Sequence, residues 1–419
     1  IRHITGPSER VREYDGTNKE GEEIFFEIFN KMIDTPIYNF PPVLVDNKDL
    51  IFDGSHRASV ALLNDSLINI GKFDYEDKRD ASYKFFSNRN GKNLKLHRSI
   101  LDEAALEATR VKKGLRIVLL FPSILSKKFA IEYIKSKSDI VYSKSIYASQ
   151  SLGTEILKEA YHGHSLVDTD SKLFEHKVKN CFISKGVLNV LLIQNFEISS
   201  IINIKQNIRN HYLIGNDSIH ITDSEDELNR LSKIIFNDNS LEIMNGNIQY
   251  DKRTYDFIIN FHEWIEVNNL DIEDFIIGGS ALLGLMGIRK INDLDFLTTN
   301  DCLSLPKYPK NIKDHFSEIK YYNYKPDQLI HDPKNYFWYM GVKFCTPKII
   351  LKMKLNRAED KDLYDIKHIK KKYKTNEELS IVLKYFINTE IFFRIYFRKF
   401  KRWLSPYVQK IKKFINVKK

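Results

Sequence analysis

A fully apolar strand that runs straight into two glycines and a serine has few ways to continue. Residues 275–280 are Phe275, Ile276, Ile277, Gly278, Gly279 and Ser280. The triplet reads as a buried strand, the glycines as a tight turn, and the residues after Ser280 as a helix. A second strand then carries Asp293 and Asp295. Side chains alternate along a strand, so this spacing puts both carboxylates on one face. Two carboxylates on one edge suit a hard cation such as Mg2+. The turn beside them offers amides and a hydroxyl to phosphate oxygens. Metal and amides together suit phosphoryl or nucleotidyl transfer. The plainer alternative is an α/β domain whose Asp pair caps a turn.

A charged run follows: Lys352, Lys354, Arg357, Lys361, Asp362 and Asp365. Gly-Gly-Ser, then Asp-x-Asp, then this run resembles the nucleotidyltransferase fold of the polymerase-β type. The resemblance covers residues 250–374. It implies that Asp293 and Asp295 bind Mg2+ and act in catalysis. It places Gly278, Gly279, Ser280, Lys354 and Arg357 on the phosphates of a nucleoside triphosphate, ATP or CTP. Asp362 and Asp365 would orient those cations or hold a helix pair together. Active members use a third carboxylate on a later strand to activate the attacking hydroxyl. The expected strand, Trp338 to Phe344, carries none, and Asp332 is the nearest candidate. A binding or vestigial copy is the alternative where Asp332 does not reach the metals.

Residues 43–57 read as strand, turn and strand, then Asp53, Gly54, Ser55, His56 and Arg57 entering a helix. Gly54 permits a tight turn. The helix N-terminus, its amides and the Arg57 guanidinium would converge on one phosphate. A hairpin feeding a helix capped by Ser55 or Asp53 explains the same residues. Gly-x-His-Arg after a hairpin resembles the ParB/sulfiredoxin-like fold, over residues 1–95. That resemblance implies phosphate binding at Asp53, Gly54 and Arg57, with His56 in a catalytic role. This segment contains no Cys, which excludes sulfiredoxin chemistry.

Residues 96–114 read as a connecting helix. Residues 115–245 open on a buried-strand run, Arg116 to Phe121, stopped by Pro122. Tyr161 and His164 lie further on, then Arg209. His220 precedes Thr222, Asp223 and Ser224, and an amphipathic helix follows. This arrangement resembles nucleoside diphosphate kinase and implies a ferredoxin-like domain with His220 as phosphate acceptor. The family's Lys after the first strand is absent, because Phe121-Pro122-Ser123 stands there. Its Gly after the His is Ile221. A phosphohistidine needs cations nearby, and Arg209 is the candidate. A ferredoxin-like domain with a structural His is the alternative.

Of 65 basic side chains ten fall in residues 391–419, with no acidic one, so residues 1–390 hold 55 basic against 55 acidic. The net charge of +10 therefore belongs to the C-terminal end. A neutral body argues against a global nucleic-acid binder. Residues 375–419 read as a tail, opening on the capping-box spacing Thr375 to Glu378 and rich in aromatics between Arg and Lys. That mixture suits an anionic membrane surface; a single strand of nucleic acid or a helix packed on the core would use the same residues. Cys181, Cys302 and Cys345 are far apart, so neither a zinc site nor a disulfide framework is read. Residues 1–4 do not read as a signal peptide, and no segment reaches the roughly 18 apolar residues of a membrane span. A reduced cytoplasmic setting, with attachment to the inner membrane surface, is expected.

The expected architecture is α/β and α+β multidomain. The expected function is Mg2+-dependent phosphoryl or nucleotidyl transfer to a small polar or sugar-phosphate acceptor, in cell-surface polysaccharide assembly. The competing classes are a nucleic-acid-directed ParB-like or toxin-type nucleotidyltransferase and a non-catalytic nucleotide-binding scaffold.

Overall fold

The computed structural model describes residues 32, 36, 39–47, 51–64, 66–74, 94–124, 126–163, 171–182, 186–195, 197–246, 248–249, 252–299 and 305–372. The tail 375–419, with its capping box and basic aromatic end, lies outside the described residues, as do His164 and Cys302. The chain is mixed α/β with several sheets. It divides into two compact units, residues 1–104 and 105–419.

In the first unit, strand β1 (Val43–Val45) pairs antiparallel with β2 (Ile51–Asp53) and parallel with β3 (Ile70–Lys72). Val43 and Val45 are buried while Leu44 is half-buried, the period-two pattern of a strand with one covered face. Gly54 has φ +93°, which only glycine adopts without strain, and turns β2 into α1 (Ser55–Leu63). Helix α2 (Leu94–Val111) runs through the boundary between the units.

The second unit contains two sheets. The first is antiparallel, in the order β5 (Asp139–Ala148), β6 (Gly186–Gln194), β4 (Leu115–Leu120), β7 (Ile219–Ile221). Helices α3 (Lys128–Lys137) and α6 (Ile198–Tyr212) pack Ala130, Ile134, Ile201, Ile204 and Ile208 on Val118, Leu120, Leu191 and Ile193. On the opposite face, α4 (Gln150–Ala160) carries a buried Leu152, Ile156 and Leu157, and α5 (Ser171–Cys181) packs on α4. Helix α7 (Glu225–Ile235) packs against β4. A sheet covered on both faces has no solvent side to mark with polar residues. This is why Ile117 to Phe121 are apolar without alternation and all fully buried.

The second sheet is mixed, in the order β10 (Ile312–Asp314), β9 (Leu294–Thr298), β8 (Phe275–Ile277), β12 (Val342–Cys345), β11 (Tyr336–Tyr339). Strand β8 runs antiparallel to β9 and parallel to β12, while β9 and β10 run parallel. Between the sheets in sequence lie α8 (Asp238–Asn245) and α9 (Lys252–Val267). A short α10 (Ala281–Leu285) follows β8, and α11 (Pro326–His331) precedes β11. Helices α12 (Pro347–Arg357) and α13 (Asp360–Lys372) close the described chain.

Two sets of contacts hold the sheets of this unit together. At the outer edge of β11, Ser240 Oγ accepts the Trp338 N–H at 2.8 Å, and the Asn239 amide donates to the Tyr336 carbonyl at 2.9 Å. An edge strand's open hydrogen bonds are thereby taken by the first turn of α8. The second is a charge cluster on Glu273, which meets Arg110 of α2 at 2.9 Å, Lys233 of α7 at 3.0 Å and Lys343 of β12 at 3.0 Å. Burial opposes ionisation of Glu273, but the three cations outweigh it and hold its carboxyl down at about 2. Lys233 also lies over the Trp338 ring, 4.3 Å from its centroid. Among the described residues, no helix is long and apolar enough to cross a membrane.

Candidate functional site

The Gly-Gly-Ser turn and the Asp pair are brought together by the pairing of β8 with β9. The Gly278 N–H donates to the Asp295 carbonyl at 2.9 Å, which ties the turn to the strand. Gly279 has φ +57°, and a Cβ there would lie 2.0 Å from Asp295 Oδ2. The Asp295 carboxylate therefore rests directly on the glycine backbone. The Gly279 N–H donates to the hydroxyl of Tyr322 at 3.0 Å, and a Cβ on Gly278 would meet the same oxygen at 2.3 Å. Tyr322 is fully buried, which pushes its phenol well above the ordinary range and keeps it neutral. These bonds correct one expectation: the Gly278 and Gly279 amides, assigned to a triphosphate, have partners inside the fold. The turn still presents Ser280, whose side chain makes no capping bond to α10.

Strand β10 lines the other side of the pair. Lys313 stands in register with Asp295 and reaches Asp293 Oδ2 at 2.5 Å. Two residues on, the His315 N–H donates to the Phe296 carbonyl at 2.8 Å. Its Nδ1 is buried and has no hydrogen-bond partner among the described residues. Burial pushes the Asp295 carboxyl up; His315 and Lys313 pull against this, while neighbouring Asp293 adds to it. Burial in turn lowers His315, against the pull of Asp295 and Glu318. The sequence reading missed Lys313, His315 and Tyr322. The signal for the first two was their i, i+2 spacing on and just past the next parallel strand; Tyr322 had none.

Among the described residues, no group of three or more His, Cys, Asp or Glu side chains is placed to hold a metal by itself. Mg2+ is commonly held by one or two carboxylates, with water and substrate phosphates completing its shell. Asp293 and Asp295, adjacent and backed by a glycine cradle that a Cβ would fill, fit that mode. Asp332, the expected third carboxylate, accepts the Lys334 N–H at 2.9 Å within the turn that follows α11. On β12 the polar side chain is Lys343, which faces Glu273.

Lys354 and Arg357 do not present free cations to a phosphate. Lys354 is fully buried between Asp362 at 3.1 Å and Asp365 at 2.8 Å. Arg357 forks onto Asp362 at 2.8 and 3.1 Å and approaches Glu318 at 3.7 Å. Arg289 takes both oxygens of Asp365 at 2.9 and 3.1 Å. Lys354, Arg357, Asp362 and Asp365 thus form a buried ladder that clasps α12 to α13, while Lys352 and Lys361 stay exposed. The ladder's two ends hold Arg289, before β9, and Glu318, after β10. Of the two roles expected for Asp362 and Asp365, the geometry is that of holding the helix pair together. Through Arg289 and Glu318 the ladder ties the segments on either side of β9 and β10 to the helix pair.

A second cluster surrounds His220 on β7. His220 is buried, and its Nε2 lies 2.5 Å from Glu227 Oε1. Glu227 Oε2 accepts the Asp223 N–H at 2.8 Å, and Ser224 Oγ accepts the Glu227 N–H at 3.1 Å, so the pair doubles as the N-terminal cap of α7. The Tyr161 ring lies 5.4 Å from the imidazole. Burial raises the Tyr161 phenol, and nearby Lys177 and Arg209 pull it down. Arg209 Nε is buried with no hydrogen-bond partner among the described residues. Lys177 pairs with Asp217 at 2.8 Å and lies over the Phe121 ring, at the strand end where sequence reading found no Lys. Cys181 Sγ approaches Asp217 at 3.7 Å, and burial pushes its thiol up to about 12.

In the first unit, Arg57 folds back onto Asp53 at 2.8 Å, and the guanidinium packs on Gly54, 2.7 Å from where a Cβ would sit. Expected to converge on a phosphate, Asp53, Gly54 and Arg57 instead form one closed contact. His56 sits half-buried in the first turn of α1. Comparisons of the chain with protein-family models, with curated proteins and with solved structures find no match.

Proposed function

We propose that the chain is a Mg2+-dependent transferase that moves a nucleotidyl or phosphoryl group from ATP or CTP to a small polar or sugar-phosphate acceptor. One observation carries the reading: the Asp295 carboxylate lies on Gly279 of the Gly-Gly-Ser turn, beside Asp293. The succession of turn, carboxylate strand and helix-pair ladder resembles a nucleotidyltransferase fold. Asp293 and Asp295 would hold Mg2+, which screens phosphate charge when bound. Ser280 would donate to a phosphate oxygen. In nucleotidyl transfer the acceptor oxygen bonds to the α-phosphorus, the bond to the bridging oxygen breaks, pyrophosphate leaves, and the acceptor proton passes to solvent. The buried ladder keeps the segments flanking the carboxylates in place for this displacement.

A second reading, phosphotransfer at His220, is favoured by Tyr161 beside the imidazole, with the cations Lys177 and Arg209 close to Tyr161. The strand order β5-β6-β4-β7, with α3 and α6 on one face, supports a ferredoxin-like fold for residues 115–245. A thermal-shift and turnover screen of ATP, CTP, UTP and GTP with Mg2+ tests both. Asp293→Asn/Asp295→Asn should abolish nucleotide-dependent stabilisation and turnover, and His220→Gln should leave them in place. The reverse result makes His220 the reactive centre. Silence of both variants and of the parent chain leaves a non-catalytic scaffold. Steep salt-dependent binding to single strands would mark a nucleic-acid-directed protein. Work at the inner membrane surface on a polysaccharide precursor rests on the tail's composition.

A further inference from the structure

We infer that Lys313 is the phosphate-binding cation of this site and that a divalent cation releases it from Asp293. The inference rests on the transferase reading above and adds a residue to it.

A transferred phosphate needs a positive side chain close to the carboxylate pair. The two cations that sequence order offers, Lys354 and Arg357, are held in the buried ladder. Lys313 is placed otherwise. It lies on β10, in register with Asp295 on the neighbouring parallel strand, so its Cα is about one strand spacing, ~4.8 Å, from that of the carboxylate residue. Its side chain is 57% exposed, whereas that of its partner Asp293 is 24% exposed. The anchor is therefore semi-buried and the cation is at the mouth. Lys313 meets Asp293 Oδ2 at 2.5 Å, so it occupies one of the two carboxylate oxygens that Asp293 could offer a metal.

Exposed ion pairs of this kind are weak and exchange readily, because water competes for both charges and the long side chain loses entropy in pairing. A divalent cation between Asp293 and Asp295 competes directly with the ammonium for Asp293. Freed, the Lys313 ammonium keeps four rotatable carbons of reach over the same edge, where a metal-bound triphosphate would lie. One residue thus balances the carboxylate charge and then binds substrate.

The two roles predict opposite effects of one substitution. Mn2+ binding without nucleotide is followed by electron paramagnetic resonance. Mg-ATP and Mg-CTP binding is followed by titration calorimetry, with circular dichroism as a check on folding. Lys313→Ala should tighten Mn2+ about two- to five-fold, the worth of an exposed ion pair. It should weaken the Mg-nucleotide about ten-fold or more, the loss of one charge-assisted hydrogen bond. Lys313→Arg should restore nucleotide binding. Lys313→Ala that changes neither affinity, or weakens both, overturns the inference while the transferase reading stands. If the parent chain binds neither probe, the reading fails and the inference with it.

Discussion

At Gly279 two requirements meet in one residue. Its φ of +57° lies in the left-handed region, and its missing side chain leaves the space that Asp295 Oδ2 occupies. Alanine there brings backbone strain together with an overlap at 2.0 Å. Gly279→Ala should cost about 2 kcal/mol or more in urea unfolding and displace Asp295, so nucleotide binding falls with stability. A substitution tolerated in both measurements would mean that the turn can move away from the carboxylate. The neighbouring Ser280 shows the limit of spacing arguments. Three adjacent residues looked like equal phosphate donors, yet the fold spends the Gly278 and Gly279 amides on Asp295 and Tyr322. Tyr322 arrives from a 3-10 segment well downstream, and no local pattern announces it.

Elements were legible where one physical signal dominated. The apolar run 116–121 forms β4, the Gly-Gly-Ser turn follows β8, and a helix spans Leu94–Val111. The charged run 352–365 became two helices, but four of its charges point at one another. At α-helical spacing, Lys354 and Arg357 on α12 face Asp362 and Asp365 on α13, and burial rewards mutual pairing over presentation to solvent. The tail is an element of a different kind, argued from composition alone. Its ten basic residues among aromatics should carry membrane association. Removing 391–419 should abolish sedimentation with anionic vesicles and leave transfer to a soluble acceptor unchanged. Equal vesicle binding by the shortened chain would refute that division.

At the scale of the whole second unit, Glu273 is the feature that no stretch of sequence suggested. It draws cations from α2, α7 and β12 onto one carboxylate that precedes β8. A carboxyl held at about 2 instead of its ordinary 4.5 stabilises the native state fully above the higher value. That contribution is lost as pH falls through the lower one. Glu273→Gln should cost about 3 kcal/mol at neutral pH, because three semi-buried cations lose their counter-charge. The deficit should shrink on acidification, since the parent chain then loses the same interaction. Urea unfolding of both chains across the acid range measures this, and a deficit that is constant with pH would refute the assignment.

The sequence by itself determined the local grammar: the strand, the glycine turn, the paired carboxylates and the neutral body with a basic end. Each depends on backbone preference, alternation or composition, which act over a few residues. The tertiary structure alone decided which charges are sealed against one another and which stay exposed beside the carboxylate pair. Lys354 and Lys313 are chemically identical in the sequence. One is sealed between two aspartates and the other lies at the mouth of the carboxylate site. Burial and the nearest opposite charge separate them, and both are set by residues distant in the chain.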